Sequence, residues 1–307
     1  MRLRGSVIGL GAIGRHHARI VENSERAELV GAVELNSADA GLDADRIFRS
    51  WNQLRARGEV DFAVVALPTA LHEEASVAVA NDGVHVLVEK PLALTEEGAR
   101  CIVKACVSAG VHGAVAHVER YNPALVALKQ MLQDGAIGRP VAIASERAGP
   151  LPVRTRETGV ISDLATHDLD LIPWLVDSPI ELVFAQTDSP GETEQVAAIT
   201  GRLSSGLLFN TMADWLSERR IRRVRVLGEG GSLVADLLAP QLLLVTNLLR
   251  EIPLKPVEPL ASQFDSFCDL LESGSPAPVV SLDEGLRAVA CADAAMRSAR
   301  QGRPVVL

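Results

Sequence analysis

Aromatic side chains are scarce in this chain: only 3% of its 307 residues are Phe, Trp or Tyr, with a single Tyr. Stacking platforms for single-stranded nucleic acid are therefore excluded. Basic charge is short as well. Thirty Lys and Arg stand against 39 Asp and Glu, for a formal net charge of −9, the reverse of the basic face that DNA or RNA demands. No apolar run approaches the roughly 18 residues of a membrane span. A strand-like pattern begins at Leu3 and leaves no room for a signal peptide. The four cysteines, 101, 106, 268 and 291, form no C-x-x-C pair and lie in apolar, helix-like surroundings. They read as reduced core residues of a cytoplasmic protein. Repeats and low-complexity tracts are missing. What is present is ordinary: 48% hydrophobic and 22% charged residues, a chain of about two folded domains.

The stretch around which the rest is organised follows the first apolar run. Gly9, Gly11 and Gly14 fall in the spacing G-x-G-x-x-G, with Ala12 and Ile13 between them, and a helical pattern takes over at Ile13, Ala18 and Ile20. Glycines so placed give a tight turn, a backbone that touches a pyrophosphate, and close helix–strand packing. The helix N-terminus then points its N–H groups and positive dipole end at the phosphates. A second strand, Glu28 to Val33, ends at Glu34, 20 residues after Gly14. A carboxylate there accepts from both ribose hydroxyls and repels a 2′-phosphate. Leu35, Asn36 and Ser37 offer no arginine to hold such a phosphate, so NAD is favoured over NADP.

Up to residue 118 strand and helix alternate. A helix-like piece over Ser37 to Ala44 and another over Trp51 to Arg57 precede an apolar strand, Asp61 to Leu67, closed by Pro68-Thr69. A helix over Leu71 to Asn81 leads to a strand, Val84 to Val88, ending in Glu89-Lys90-Pro91. Thr95 is the expected N-cap of a helix that stops at Gly110, before a last strand, Val111 to Ala116, and His117. Mostly apolar strands separated by helices imply a doubly wound parallel sheet, a Rossmann domain over 1–118 with ligands at the carboxyl ends of its strands. Residues 119–307 differ in texture. Helices are expected over Asn122–Asp134, Ser162–Val176, Pro259–Ser273 and Ser281–Arg300, with a strand over Val141–Glu146 and five short β runs between 180 and 237. The class is α/β, the second domain carrying a mostly antiparallel open sheet.

Asp163 and His167 lie four residues apart on a predicted helix, with Asp170 and Trp174 continuing their stripe. A histidine suits removal of a hydroxyl proton, since its ordinary pKa is about 6.5. Asp163 can hold the imidazole or the substrate hydroxyl. Lys90, at a strand end beside the cofactor crevice, can stabilise alkoxide charge or, if burial lowers its pKa, take the proton itself. Asp163, His167 and Asp168 do not make a metal site, because only two of them share a face. Arg219, Arg220, Arg222, Arg223 and Arg225 alternate along a strand as a solvated face would, with a diphosphate as the alternative partner.

Taken together, Gly9–Gly14, Pro68-Thr69 with His72, Glu89-Lys90-Pro91, and Asp163 with His167-Asp168 resemble the Gfo/Idh/MocA oxidoreductases, in order and spacing, over nearly the whole chain. The resemblance implies a dinucleotide domain paired with an α/β domain whose open sheet mediates homo-dimers or homo-tetramers, and oxidation or reduction of a secondary alcohol on a sugar, sugar nucleotide or cyclitol. His167 is then the acid/base, with Lys90 orienting cofactor and substrate; Leu67, Pro68, Thr69, His72 and Glu89 join the glycine loop and Glu34 around NAD. The stretch His117 to Pro123, with Arg147, Arg154 and Asp214 to Leu216, is similar to the branch acting at C3 of UDP-N-acetylglucosamine, and also to that acting on its uronate. It implies a substrate site of His117, Arg120, Tyr121, Asn122, Arg147, Arg154 and Asp163, with the three arginines meeting a diphosphate. Ala165 and Thr166 depart from the family pattern at the pocket floor, and the segment from Ala40 to Asn52 is short on the adenine side. A free cyclitol or monosaccharide is the competing substrate class. A non-catalytic NAD-dependent regulator is disfavoured, because both Lys90 and His167 are retained.

Overall fold

The computed structural model describes residues 2–35, 42–151, 158–189, 193–274 and 278–307. The chain divides into two compact units, Met1–His117 with Leu260–Leu286, and Val118–Pro259 with Arg287–Leu307.

The first unit runs β1 (Leu3–Ile8), α1 (Ala12–Asn23), β2 (Ala27–Val33), β3 (Ile47–Phe48), α2 (Trp51–Arg55), β4 (Phe62–Val65), α3 (His72–Asn81), β5 (His85–Glu89), α4 (Glu96–Ala109) and β6 (Gly113–Ala116). These strands pair in parallel in the order β6-β5-β4-β1-β2-β3. Every residue of β4 is buried, as a strand covered on both faces requires. Local chemistry sets the helix ends. Thr95 Oγ1 accepts from the Gly98 N–H at 3.1 Å, and α4 stops where Gly110 takes φ +67°.

The second unit begins with α5 (Pro123–Gln133) and β7 (Pro140–Ala148). A π-helical turn, Ile161–Ala165, leads directly into α6 (Thr166–Leu175). Then come β8 (Ile180–Thr187), β9 (Val196–Leu203), β10 (Leu208–Asp214), β11 (Ile221–Gly228), β12 (Gly231–Asp236), β13 (Gln241–Val245) and β14 (Leu249–Ile252). α7 (Pro259–Ser273), β15 (Val280–Ser281), α8 (Leu282–Gln301) and β16 (Val305–Val306) complete the chain. The described strands of the second sheet are ordered β14-β13-β12-β11-β7-β10-β9-β8-β16, antiparallel throughout except for the central β7–β10 pair. Burial alternates along β9, β10 and β11. Their inward residues Ile199, Phe209 and Val226 form a core with Leu125 and Leu128 of α5 and Leu169 and Ile172 of α6. The opposite face carries exposed Leu208, Met212 and Leu227.

Three sequence expectations change. The helix over 162–176 opens with a π turn, and continues through Pro173 to Leu175. Strands β13 and β14 extend the sheet beyond the runs read from the sequence. The chain also returns to its first unit: α7 and β15 belong with residues before 118 rather than with a contiguous second block, and β15 adds an antiparallel edge beside β6. The scarce aromatics explain that return. Phe62 of β4 meets the rings of Phe264 and Phe267 of α7, with centroids 5.6 and 5.7 Å away, and all three are buried. Helix α8 starts at a reciprocal cap: Ser281 Oγ accepts from the Glu284 N–H at 3.2 Å, and the Glu284 carboxylate accepts from the Ser281 N–H at 2.9 Å. Among the described residues no helix is long and apolar enough to cross a membrane.

Removing one ring from the phenylalanine cluster tests how far the first unit depends on α7. Phe264→Ala is expected to destabilise that unit by about 3–5 kcal/mol, measured by urea denaturation.

Candidate active site

In the first unit the polar groups gather at the carboxyl ends of the strands. Gly9 follows β1 with φ +94°, and a Cβ there would meet the Ala66 carbonyl oxygen at 2.7 Å. A Cβ on Gly14 would stand 1.9 Å from the Gly9 carbonyl oxygen. Turn and helix therefore touch backbone to backbone, which glycine alone permits. Helix α1 opens at Gly11 with no side-chain cap and no acid in its first turn, so its leading N–H groups and positive dipole end suit an anion. Glu34, after β2, accepts from the Leu10 N–H through Oε2 at 2.8 Å, which ties the ribose-binding candidate to the glycine turn. This uncapped terminus, the close-approach glycines and the adjacent carboxylate fit a dinucleotide.

Leu67, Pro68 and Thr69 follow β4, with Pro68 exposed and the other two half-buried. His72 was expected at the cofactor. Instead its ring is buried, with Nδ1 2.9 Å from the Pro91 carbonyl oxygen and Nε2 2.9 Å from that of Leu67. Burial lowers its pKa against the pull of those carbonyls. It joins the loop after β4 to the loop after β5 rather than facing a ligand. Glu89 is likewise turned inward: Oε1 lies 2.8 Å from Nε2 of His17 on α1, and Oε2 accepts from the Lys90 N–H at 3.1 Å. Burial opposes its charge most strongly, but His17, the Lys90 charge and the Lys90 N–H together outweigh it and hold Glu89 below the ordinary carboxylate range. Glu89 thus braces the phosphate-facing helix against the strand end that carries half-buried Lys90. Reading the sequence missed His17 as its partner; a histidine early in the helix after the glycines was the only signal. His117 closes β6, buried.

In the second unit the residues differ in burial. Asp163, on the π turn, and His167, in the first turn of α6, are half-buried, while Thr166, Asp168 and Asp170 are buried. Asp170, on the stripe it was expected to share with His167, is turned to an internal partner. It receives Nε and Nη2 of Arg120 at 2.9 and 2.6 Å, and the guanidinium also lies over Trp174. Asp168 forms an ion pair with Arg147, Oδ1 lying 3.0 Å from Nε, and accepts from the Thr211 hydroxyl at 3.1 Å, while Arg147 Nη1 donates to Glu119 at 3.1 Å. Burial works against the Arg147 charge, yet the Asp168 and Glu119 carboxylates prevail and raise its pKa. Burial pushes Asp168 up against the pull of Arg147. Asn122 caps α5 by accepting from the Ala124 N–H at 3.0 Å and donates to the Leu237 carbonyl at 3.0 Å. Tyr121 is buried beside it in sequence.

Arg120, Arg147 and Asn122 are thus spent on the protein's own groups, and the open cationic cradle expected of them is replaced by a brace around α6. Arg154 lies outside the described residues, as do positions 36–41, which take in most of the helix-like piece expected over Ser37 to Ala44 and the start of the segment on the adenine side. Arg223 and Arg225 are exposed on β11.

Comparison with known proteins bears on both units. Residues 3–117 match the model of an oxidoreductase family with an NAD-binding Rossmann fold, and residues 125–234 match the GFO/IDH/MocA C-terminal domain. The UDP-N-acetylglucosamine 3-dehydrogenase of Acidithiobacillus ferrooxidans is 29% identical over 74% of this chain and 71% of its own. Its solved structure superposes with a TM-score of 0.88, at 26% identity, over 98% of this chain and 99% of that one. Inositol 2-dehydrogenase of Rhizobium meliloti is 26% identical over 99% of both chains. The WlbA dehydrogenase of Bordetella pertussis, solved with NADH and UDP-GlcNAcA, has a TM-score of 0.85 at 26% identity, covering 100% of this chain and 99% of that one.

Two measurements probe the cofactor edge. Gly14→Ala forces a Cβ onto the Gly9 carbonyl, so NAD affinity by calorimetry is expected to fall roughly tenfold to a hundredfold, the equivalent of about 1–3 kcal/mol of overpacking. Ionised Glu89 contributes stability that is fully present above its unfolded pKa of about 4.3 and is lost as pH falls through the lower folded value. Glu89→Gln removes that contribution, so its stability is expected to fall less steeply than the wild type's between about pH 5 and pH 3, as followed by urea denaturation.

Proposed function

The chain belongs to the Gfo/Idh/MocA oxidoreductases, with an NAD-binding Rossmann domain at its N-terminal end, and from that membership we propose that it oxidises a secondary alcohol of a nucleotide sugar, at C3 of a UDP-N-acetylhexosamine. Hydride exchange between NAD and an alcohol carbon of a sugar or cyclitol is the family's coarser activity. One observation carries the dehydrogenase reading. Along the turn and helix from 161 to 175, Asp163 and His167 stay accessible while Asp168 and Asp170 are buried in ion pairs.

Bound NAD supplies the hydride acceptor. The Gly9–Gly14 turn and the α1 N-terminus would hold its pyrophosphate, and Glu34 its adenosine ribose. His167 takes the substrate's hydroxyl proton onto its imidazole, whose ordinary pKa of about 6.5 lets it accept near neutrality and return the proton in the reverse direction. Asp163 orients the hydroxyl or the ring. Lys90 donates to the alcohol oxygen and offsets its developing negative charge. The same reading assigns the outer face of the second sheet, with Leu208, Met212 and Leu227, to self-association.

The nucleotide-sugar assignment draws on the stretch His117–Pro123 and on similarity to the two UDP-sugar enzymes along nearly their full length. A second reading, a free cyclitol, is favoured by the burial of Arg120 and Arg147 in ion pairs, which withdraws two cations from a diphosphate. The end-to-end match to an inositol dehydrogenase favours it too.

NADH formation with UDP-N-acetylglucosamine, its uronate, free N-acetylglucosamine and myo-inositol decides between them. Turnover confined to the UDP-sugars is expected; turnover of inositol or the free sugar alone overturns the nucleotide-sugar reading. His167→Asn and Lys90→Ala are each expected to lower kcat by about a hundredfold or more, and full activity in the His167 variant would remove it from the acid/base role.

A further inference from the structure

Glu194 belongs to no motif, yet it is buried where glutamate is seldom found unless its charge is compensated. It stands just before β9, and it meets the start of the π turn twice. Its main-chain carbonyl accepts from the Val160 N–H at 3.0 Å, and its Oε1 accepts from the Ile161 N–H at 3.0 Å. The turn has no side-chain cap at Val160, so the acceptor for its leading N–H group comes from 33 residues further along the chain. A carboxylate at that end also complements the helix dipole. Gly159 makes room for it: a Cβ there would fall 2.0–2.1 Å from the atoms of the Glu194 carboxyl group. The Gly159 carbonyl in turn accepts from the Asp163 N–H at 3.1 Å.

We infer that Glu194 is a positioning residue for Asp163 and His167, acting from the front of their turn; the inference rests on the dehydrogenase reading above. Behind His167 the helix is held by the Arg147–Asp168 and Arg120–Asp170 pairs. Ahead of Asp163 it is held by Glu194. Between these anchors lies a π turn, whose hydrogen bonds span one residue more than those of an α-helix. If the front anchor is lost, the Ile161 N–H loses its acceptor and the backbone from Val160 to Asp163 is released. Glu194 therefore fixes where Asp163 stands ahead of His167.

The test uses the full-length protein and three readouts: amide exchange of residues 160–163, the imidazole NMR signal of His167 (assigned by its absence in His167→Asn), and kcat against KM on the active sugar. Glu194→Ala is expected to speed exchange there about tenfold, to move the His167 signal, and to lower kcat while KM for NAD holds. Glu194→Gln keeps the acceptor oxygen and is expected to restore all three. If Glu194→Ala does not fold, Glu194→Asp, which withdraws the acceptor by one methylene, takes its place with the same expectation. Unchanged exchange or an unmoved His167 signal overturns the inference, as does a Gln variant no better than Ala, or a kcat unaffected in a variant whose exchange has risen. If wild-type protein turns over no sugar, the dehydrogenase reading fails, while exchange and the imidazole signal still decide the role of Glu194.

Discussion

A guanidinium and a carboxylate that are both removed from water impose the central constraint on the second unit. Burying either charge alone costs several kcal/mol, and their attraction recovers this only when distance and remaining hydrogen bonds are nearly ideal. Arg147 and Asp168 pair at 3.0 Å, Thr211 donates to the carboxylate and Glu119 accepts from the guanidinium, while Arg147 Nη2 is buried without a hydrogen-bond partner among the described residues. Asp168 follows His167 directly, so whatever holds the carboxylate also holds the histidine. Arg120 repeats the device two residues later at Asp170. Three acids within eight residues thus differ in setting: Asp168 and Asp170 are buried in ion pairs, and Asp163 is half-buried.

The first unit reaches a comparable result with fewer charges. A parallel sheet covered on both faces can present polar groups only at strand ends. The glycine turn, Glu34 and Lys90 accordingly follow β1, β2 and β5. Their supports are internal: Glu34 bonds the glycine turn, Glu89 bonds His17, and His72 lies between two loop carbonyls. These contacts join consecutive strand ends to one another, so a change in any loop is felt by its neighbours.

Sequence reading succeeded where the physics is local. The glycine spacing, the Thr95 cap and Gly110 stop of α4, and the four-residue interval between Asp163 and His167 each depend on neighbours within one turn of chain. It misjudged Arg120 and Arg147 because an arginine is open or paired according to an acid 50 or 21 residues away, and no periodicity reports that distance. His72 and Glu89 were assigned to the right edge of the sheet but to the wrong neighbour, since a side chain at a strand end can face either ligand or loop. The π turn was invisible for a related reason: the acceptor at its start, Glu194, comes from 33 residues further along the chain. Helix α7 was recognised as a helix from its own residues, but its partner, Phe62, lies nearly two hundred residues earlier.

That last separation has a consequence for how the protein is made. On the ribosome the strands of the first unit emerge early, while Phe264, Phe267 and the edge strand β15 follow only after Val118–Pro259 has been synthesised. At about 5–20 residues per second, the interval is on the order of ten to thirty seconds. During it, the Phe62 face and the outer edge of β6 are without their native cover. The nucleotide-binding unit therefore completes its fold only after the whole of Val118–Pro259 has been made.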